Sequence, residues 1–411
     1  MDYNYNQYEQ EELKKIKRKS MWKGIFIGGG CILGVSLFFI GCLLAVLLKF
    51  STSGTMGEFA LGEDSLVKMN DLINYADENY LYDVDKEAME EAIYSAIFDS
   101  LGDPYSTYYT PEEYKEITES TSGTYYGIGV VVQEDVETGY ILVVEPYENG
   151  PAYAEGLRSG DYIVAVEGQD IQNVDINIVV KEIKGEAGTK VNITARRDGK
   201  DFDLCITRQA IEIKTVDYEI LDDGVGYIAI SSFEGTVVDQ FKNAYDDLID
   251  QGMTSLVIDI RNNPGGLLSA VTEMLDLFIE EDDMIVYTMD KNGNRRDYVA
   301  ENDVEIEIPC VVLINGNSAS ASEIFAGALQ DYELAHVMGT QSFGKGIVQT
   351  IMGLRDGSAF KITIEDYYTP NGNNIHGIGI TPDEVVELDA DAYNEDGTDT
   401  QLDAAIKYLT K

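Results

Sequence analysis

An α+β chain of several units is what this sequence predicts: a transmembrane helix, a small helical region, a strand-rich unit and an α/β core. Three observations predict it. Residues 24–48 are apolar without a single charge. Near residue 122 the spacing of apolar residues changes from helical to strand-like. From 224 to 386 short apolar runs alternate with amphipathic stretches, the pattern of strands packed between helices. The 411 residues allow two to three folded units at roughly 100–200 residues each.

The run 24–48 spans 25 residues, about 37 Å as a helix, enough to cross a bilayer core of about 30 Å with some tilt. Lys14, Lys15, Lys17, Arg18, Lys19 and Lys23 precede it, and after Lys49 the next basic residue is Lys68. That asymmetry predicts a cytoplasmic basic tail (1–23), a single span (24–48), and everything beyond it outside the cell membrane. A cleavable signal has a shorter apolar stretch and a small-residue site, and neither fits. Phe39-Ile40-Gly41-Cys42 loosely resembles a lipoprotein cleavage box, but apolar residues continue past it.

The chain carries 29 basic and 74 acidic residues, a net charge of −45. So acidic a surface repels nucleic acid, and a DNA or RNA partner is excluded on that ground. Cys31 and Cys42 fall in the apolar run, and Cys205 and Cys310 stand singly in strand-like stretches. No C-x-x-C spacing exists to suggest a metal or redox site, and two isolated buried thiols are expected.

Residues 49–63 read as a linker. In 64–121, Leu66, Met69, Leu72 and Ile73, then Met89, Ala92, Ile93, Ala96 and Ile97, recur at helical spacing, and Gly102-Asp103-Pro104 ends the second helix. Between 122 and 212, strands are expected at 126–132, 140–144, 162–166, 190–196 and 202–208, with a short helix ending near Gly156 and another at about 174–184. In the core, 213–388, strands 226–230, 255–260 and 309–314 alternate with helices near 235–251, 267–280 and 320–331. The acidic stretch 389–399 is expected to be a mobile, solvated connection to a last helix, 401–409.

The chemistry begins with what is missing. Of the two histidines, His336 lies in a strand-like stretch and His376 in a turn-rich one. No Gly-x-Ser-x-Gly elbow and no His-Glu-x-x-His pair occurs, so a histidine-based triad or a zinc peptidase has no motif behind it. Ser318-Ala319-Ser320-Ala321-Ser322-Glu323 follows a buried strand and opens a helix. Helix-start amides can stabilise a developing oxyanion, although Ser320-x-x-Glu323 also reads as a plain capping box. Lys345 stands between Gly344 and Gly346, beside apolar neighbours. To act as a base it must fall about three units below 10.4, roughly 4 kcal/mol that burial can impose; a surface lysine in a glycine turn is the alternative. Arg261-Asn262-Asn263-Pro264-Gly265-Gly266 follows strand 255–260. Its glycines allow close backbone approach, or simply make a turn.

The unit 122–212 resembles a PDZ domain, with Gly127-Ile128-Gly129-Val130 as the loop whose N–H groups take a chain-end carboxylate. The stretch from about 64 to 386 is similar to the carboxyl-terminal processing peptidases, or tail-specific proteases. The segments carrying the likeness are Leu101–Tyr109, the PDZ-like unit, Asn262–Gly266, Ser318–Asp331, Phe343–Gln349 and Ile375–Asp383. The resemblance implies a crotonase/ClpP-like protease core. It implies a serine endopeptidase with Ser320 as nucleophile, Lys345 as base and Gln349 orienting the lysine. The oxyanion hole falls on the N–H of Gly265 or Gly266 and of Ala321, with the choice between glycines open and Ser318 and Ser322 as rivals to Ser320. It implies no cofactor and no metal, protein or peptide substrates with apolar C-termini, and a homodimer formed through the terminal regions. Two other readings are a catalytically silent PDZ scaffold that only binds tails, and a crotonase-like enzyme acting on thioesters. The last suits an outside-facing domain poorly, because coenzyme A is cytosolic.

Overall fold

The computed structural model describes residues 61–411. The predicted cytoplasmic tail, the span 24–48 and most of the linker lie outside the described residues, as do Cys31 and Cys42. Among the described residues no helix is long and apolar enough to cross a membrane.

The chain divides into two compact units, one ending at Met89 and the other running from Glu90 to Lys411. The first holds helix α1 (Glu63–Asn79), and helix α2 (Lys86–Asp99) carries the boundary. The helical spacing read from sequence is realised, but neither helix buries a residue. Leu66, Val67, Leu72 and Tyr75 of α1 all face solvent.

In the second unit, strand β1 (Thr107–Tyr109) precedes helix α3 (Pro111–Ser122), whose start is closed by a full capping box between Thr110 and Glu113. Helix α3 falls in the region read as helical, whereas β1 was not foreseen there and is hydrogen-bonded into the core's second sheet.

The PDZ-type unit follows: β2 (Thr124–Gly127), β3 (Val130–Glu134), β4 (Ile141–Pro146), the single-turn α4 (Pro151–Ala154), β5 (Tyr162–Val166), β6 (Gln169–Asp170), α5 (Ile176–Ile183), β7 (Lys190–Arg197), β8 (Lys200–Thr207) and β9 (Gln209–Glu212). Strands pair in the order β3-β4-β5-β7-β8, with β6 on β5, and β2 pairs β9 apart from them. Alternate residues of β7 (Val191, Ile193, Ala195) point inward with Ile141, Val143, Ile163, Val179 and Ile183 to form one apolar core, the period-2 pattern of a sheet with one wet face.

The core is built on a six-stranded sheet ordered β10-β11-β12-β15-β16-β19. Its strands are β10 (Val216–Ile220), β11 (Val225–Ile230), β12 (Ser255–Asp259), β15 (Cys310–Ile314), β16 (Ala335–Gly339) and β19 (Glu384–Val385). β10 is antiparallel to β11 and all other pairs are parallel. Every residue of β12 and β15 is buried, because parallel strands are covered on both faces and so read as unbroken apolar runs. One face packs on α6 (Val237–Asp250), α7 (Leu268–Leu275) and α8 (Ala321–Asp331) through Phe241, Val271, Met274 and Phe325. The other packs on α10 (Thr400–Leu409) through Leu402, Ala405, Ile406 and Leu409.

The acidic stretch before α10 differs from the solvated connection expected. Asp389 caps helix α9 (Ala390–Asp396), and Asp399 caps α10 while pairing with Arg261 at 2.7 Å. A half-buried guanidinium needs anions, and Asp259 alone leaves one fork of it unpaired.

A second sheet was not foreseen. It joins β1, β18 (Ala359–Tyr368), β13 (Met284–Asp290) and β14 (Arg295–Val299), with β17 (Ile347–Gly353) also on β18, all antiparallel. Cys310 is buried as read, whereas Cys205 is exposed; both are free thiols. Residue 205 sits on the outer face of β8, where the alternation turns it to solvent.

Candidate active site

Three loops leave the carboxyl ends of parallel neighbours β12, β15 and β16, the edge where open α/β sheets place their chemistry. They are Ile260–Gly266, Asn315–Ser320 and Thr340–Gly346. The first two are stapled together. The Asn263 carbonyl accepts the Ala319 N–H at 3.0 Å and the Ser322 hydroxyl at 2.9 Å. Asn263, fully buried, donates its side-chain amide to the Ile230 carbonyl and accepts the Gly265 N–H at 2.8 Å.

The three serines separate cleanly. Ser318 is buried, and its hydroxyl donates to the Ile260 carbonyl (2.8 Å) and accepts the Asn315 N–H (3.0 Å). Ser322 is buried and committed to Asn263. Ser320 is half-buried, and its hydroxyl donates no hydrogen bond among the described residues. Its backbone sits at φ 56°, ψ −114°, a conformation costing about 1–3 kcal/mol for a side-chain-bearing residue and found where function holds it. The capping box with Glu323 is present: the Glu323 carboxylate accepts the Ser320 N–H at 2.9 Å, and the Glu323 N–H also meets the Ser320 carbonyl at 2.8 Å.

The same carboxylate does more than the sequence suggested. Glu323 is fully buried. One of its oxygens accepts both the Ser320 N–H and the Lys345 N–H (2.8 Å), and the other accepts the Ser342 hydroxyl (2.6 Å) and the Gly344 N–H (2.7 Å). One side chain thus gathers the backbones of Ser320 and Lys345. Tyr367 of β18 adds a second tie, donating its hydroxyl to the Ser320 carbonyl and its N–H to the Gly346 carbonyl.

The glycines around Lys345 have a physical cause. A Cβ on Gly346 would come within 2.5 Å of the His376 nitrogen, and one on Gly344, at φ 89°, within 3.0 Å of the Ile378 nitrogen. The segment Ile375–Gly379 packs directly on this backbone. Lys345 itself is half-buried. Burial lowers its pKa, Lys361 lowers it further, and Asp103 and Glu323 oppose them. Its Nζ lies 4.6 Å above the Tyr105 ring. Among the described residues it makes no ion pair, and no hydrogen bond joins it to the Ser320 hydroxyl. Gln349, on β17, is half-buried, with its Nε2 shielded and without a partner among the described residues.

Gly265 stands against the serine loop and Gly266 against Phe233, at positive φ of 103° and 153°. A Cβ on Gly265 would lie 2.9 Å from both the Ala321 nitrogen and the Ser320 Cβ, and one on Gly266 would strike the Phe233 carbonyl at 2.3 Å. The Gly265 N–H is already given to Asn263. The N–H groups of Gly266 and Ala321 have no acceptor among the described hydrogen bonds.

In the PDZ-type unit, Gly127–Val130 forms the turn from β2 to β3. The Ile128 and Gly129 carbonyls are tied back by the N–H groups of Ala152 and Tyr147. Burial pushes the Tyr125 hydroxyl up to about 12, and the N–H groups of Val130 and Gly129 pull the other way. The same ring lies 2.8 Å from where a Gly127 Cβ would stand, with the Lys184 Nζ 5.0 Å from its centroid.

A PDZ-type unit beside an α/β core with an uncommitted serine on strained backbone is a serine-peptidase architecture. Residues 125–207 match the PDZ domain model, and 224–386 match the model of peptidase family S41. A probable CtpA-like serine protease of Staphylococcus saprophyticus is 35% identical over 84% of this chain and 70% of its own length. The carboxy-terminal processing protease CtpA of Bacillus subtilis is 34% identical over 91% of this chain and 84% of its own. A solved photosystem II D1 C-terminal processing protease aligns at 28% identity over 84% of this chain and 91% of its own, with a TM-score of 0.46. The chain belongs to the carboxyl-terminal processing serine peptidases of family S41, with a PDZ domain.

Proposed function

We propose that this chain is a membrane-anchored endopeptidase that takes substrate C-terminal tails on its PDZ domain and cuts peptide bonds with a Ser320–Lys345 pair. The observation that carries the reading is the single Glu323 oxygen that accepts the backbone N–H of both Ser320 and Lys345, beside a serine hydroxyl that donates no hydrogen bond among the described residues.

The chemistry follows from the groups. Neutral Lys345 takes the Ser320 proton as Oγ attacks the scissile carbonyl. The N–H groups of Ala321 and Gly266 receive the oxyanion; Gly265 is the weaker donor because Asn263 holds its N–H. The new ammonium returns the proton to the leaving amine, and the amine then deprotonates the water that frees the acyl group. Gln349 supports this cycle with an orphaned amide donor, which a neutral amine's lone pair can satisfy and an ammonium cannot. No step calls on a metal or cofactor.

The anchor rests on the uncharged run 24–48 and the basic residues before it, which keep the catalytic part outside the cell membrane. A homodimer is supported by α1, a helix of mixed surface that buries nothing among the described residues.

The test uses the full-length chain in detergent and an unstructured protein ending in apolar, uncharged residues. Ser320→Ala and Lys345→Ala should each abolish turnover and keep tail binding. Lys345→Arg should fail as well, since guanidinium stays protonated. Turnover that survives Ser320→Ala would move the nucleophile elsewhere. Tail binding with no turnover by the unaltered chain would favour the silent scaffold.

A further inference from the structure

Lys345 presents an unusual balance. Its ammonium is partly withdrawn from water, yet no carboxylate comes within ion-pairing distance among the described residues. Asp103 is committed to other donors: its carboxylate accepts the Tyr105 N–H (3.0 Å) and the hydroxyls of Ser106 (2.6 Å) and Thr363 (2.7 Å). Glu323 spends both oxygens on backbone and hydroxyl donors. Lys361, on β18, repels the ammonium. What faces the nitrogen directly is the ring of Tyr105, 4.6 Å to its centroid. An aromatic face attracts a cation and has no comparable hold on a neutral amine.

We propose that Tyr105 is a positioning residue, the perch of the protonated Lys345, which lets the lysine go toward the Ser320 hydroxyl when it loses its proton. This rests on the Ser320–Lys345 reading above. The proton leaves to water, the ammonium becomes an amine, and the attraction to the ring falls away. The amine's lone pair then accepts the Ser320 Oγ–H. Tyr105 touches neither substrate nor reacting oxygen. It sets how firmly the lysine holds its proton and where the charged form waits. Its place in the loop Leu101–Ser106, closed by Asp103, keeps the ring still: the same carboxylate binds the Tyr105 N–H and reaches across to β18.

The charged groups facing Lys345 are thus Lys361, Asp103 and Glu323, and all three stay constant when only Tyr105 is changed. Its ring stabilises the ammonium, so removing it should lower the pH at which the lysine deprotonates. In the full-length chain, kcat/KM is measured from pH 5 to 10 for the unaltered protein, Tyr105→Phe and Tyr105→Leu. The acidic limb should move down by roughly half to one and a half pH units in Tyr105→Leu. It should stay in place in Tyr105→Phe, which keeps the ring face. Should the leucine variant fold poorly, fluorinated phenylalanines at the position drain the ring's negative face without changing its shape. The limb should then descend stepwise with fluorination. A limb that stays fixed while only the plateau falls would mean a packing role and overturn the proposal, leaving the Ser320–Lys345 pair standing. A limb that rises would overturn it too. Absence of any turnover by the unaltered chain would bring down both.

Discussion

Glu323→Gln is the sharpest probe of how the site is assembled, because it changes one oxygen to NH2 and leaves volume almost untouched. The carboxylate accepts from the backbone N–H of Ser320, Gly344 and Lys345 and from the Ser342 hydroxyl. An amide keeps one accepting oxygen. Turned one way, its NH2 confronts two backbone N–H groups. Turned the other, it confronts the Gly344 N–H and a hydroxyl already accepting from the Ile380 N–H at 2.5 Å. At least one buried donor is orphaned, at about 1–3 kcal/mol, and the surviving bonds lose their charge assistance. We expect about 3–5 kcal/mol of lost stability, a large share of a domain's usual 5–15. Guanidinium unfolding followed on the core's transition measures it. On the proposed Ser320–Lys345 mechanism the same bonds set the alignment of the pair, so kcat should fall about a hundredfold, the usual consequence of a misplacement near 1 Å. A stability change under about 1 kcal/mol with unchanged kcat would refute the view that Glu323 assembles the site.

Ser320→Gly should raise stability by about 1 kcal/mol while abolishing turnover, because glycine tolerates φ 56°, ψ −114°; thermal unfolding decides it, and a lower midpoint would argue against strain. Asp399→Asn should cost about 2–4 kcal/mol, since the carboxylate pairs with half-buried Arg261 at 2.7 Å and Asp259 still holds part of the guanidinium. Burial raises the Asp399 pKa, but the Arg261 hydrogen bonds outweigh it and the net shift is downward. The unaltered chain should therefore keep this contribution above about pH 4 and lose it as pH falls through the lowered pKa, and the asparagine variant should lose that part of its acid sensitivity. Lys361→Met should move the acidic limb of kcat/KM to higher pH by a few tenths of a unit or more, because it removes a like charge that lowers the Lys345 pKa; an unmoved limb would exclude Lys345 as the titrating base.

The pieces of the site were legible because each is local. A glycine pair after a buried strand, serines at a helix start and a lysine between glycines all show in short stretches of chain. What stayed hidden is long-range. Ser320-x-x-Glu323 read as a cap, and nothing within four residues announces that the carboxylate also binds residues 342, 344 and 345. Choosing Ser320 over Ser318 and Ser322 needed their hydroxyl partners, Ile260 and Asn263, which lie some sixty positions earlier in the chain. The sheet joining β1, β13, β14, β17 and β18 escaped for the same reason: β1 and β18 are separated by some 250 residues. Asp399 looked solvated in an acidic run until Arg261 came to it across 138 residues.

Periodicity, charge and short motifs led to the expected span, the two folded parts and the few residues worth suspecting, and resemblance supplied the family, since burial and backbone conformation leave their marks in adjacent positions. Tertiary structure alone decided which serine keeps an idle hydroxyl, which glycine keeps an idle N–H, and that the lysine's cation rests on an aromatic face. Those choices depend on hydrogen bonds between segments far apart in sequence. A donor gives no sign in the sequence of which acceptor folding will bring to it.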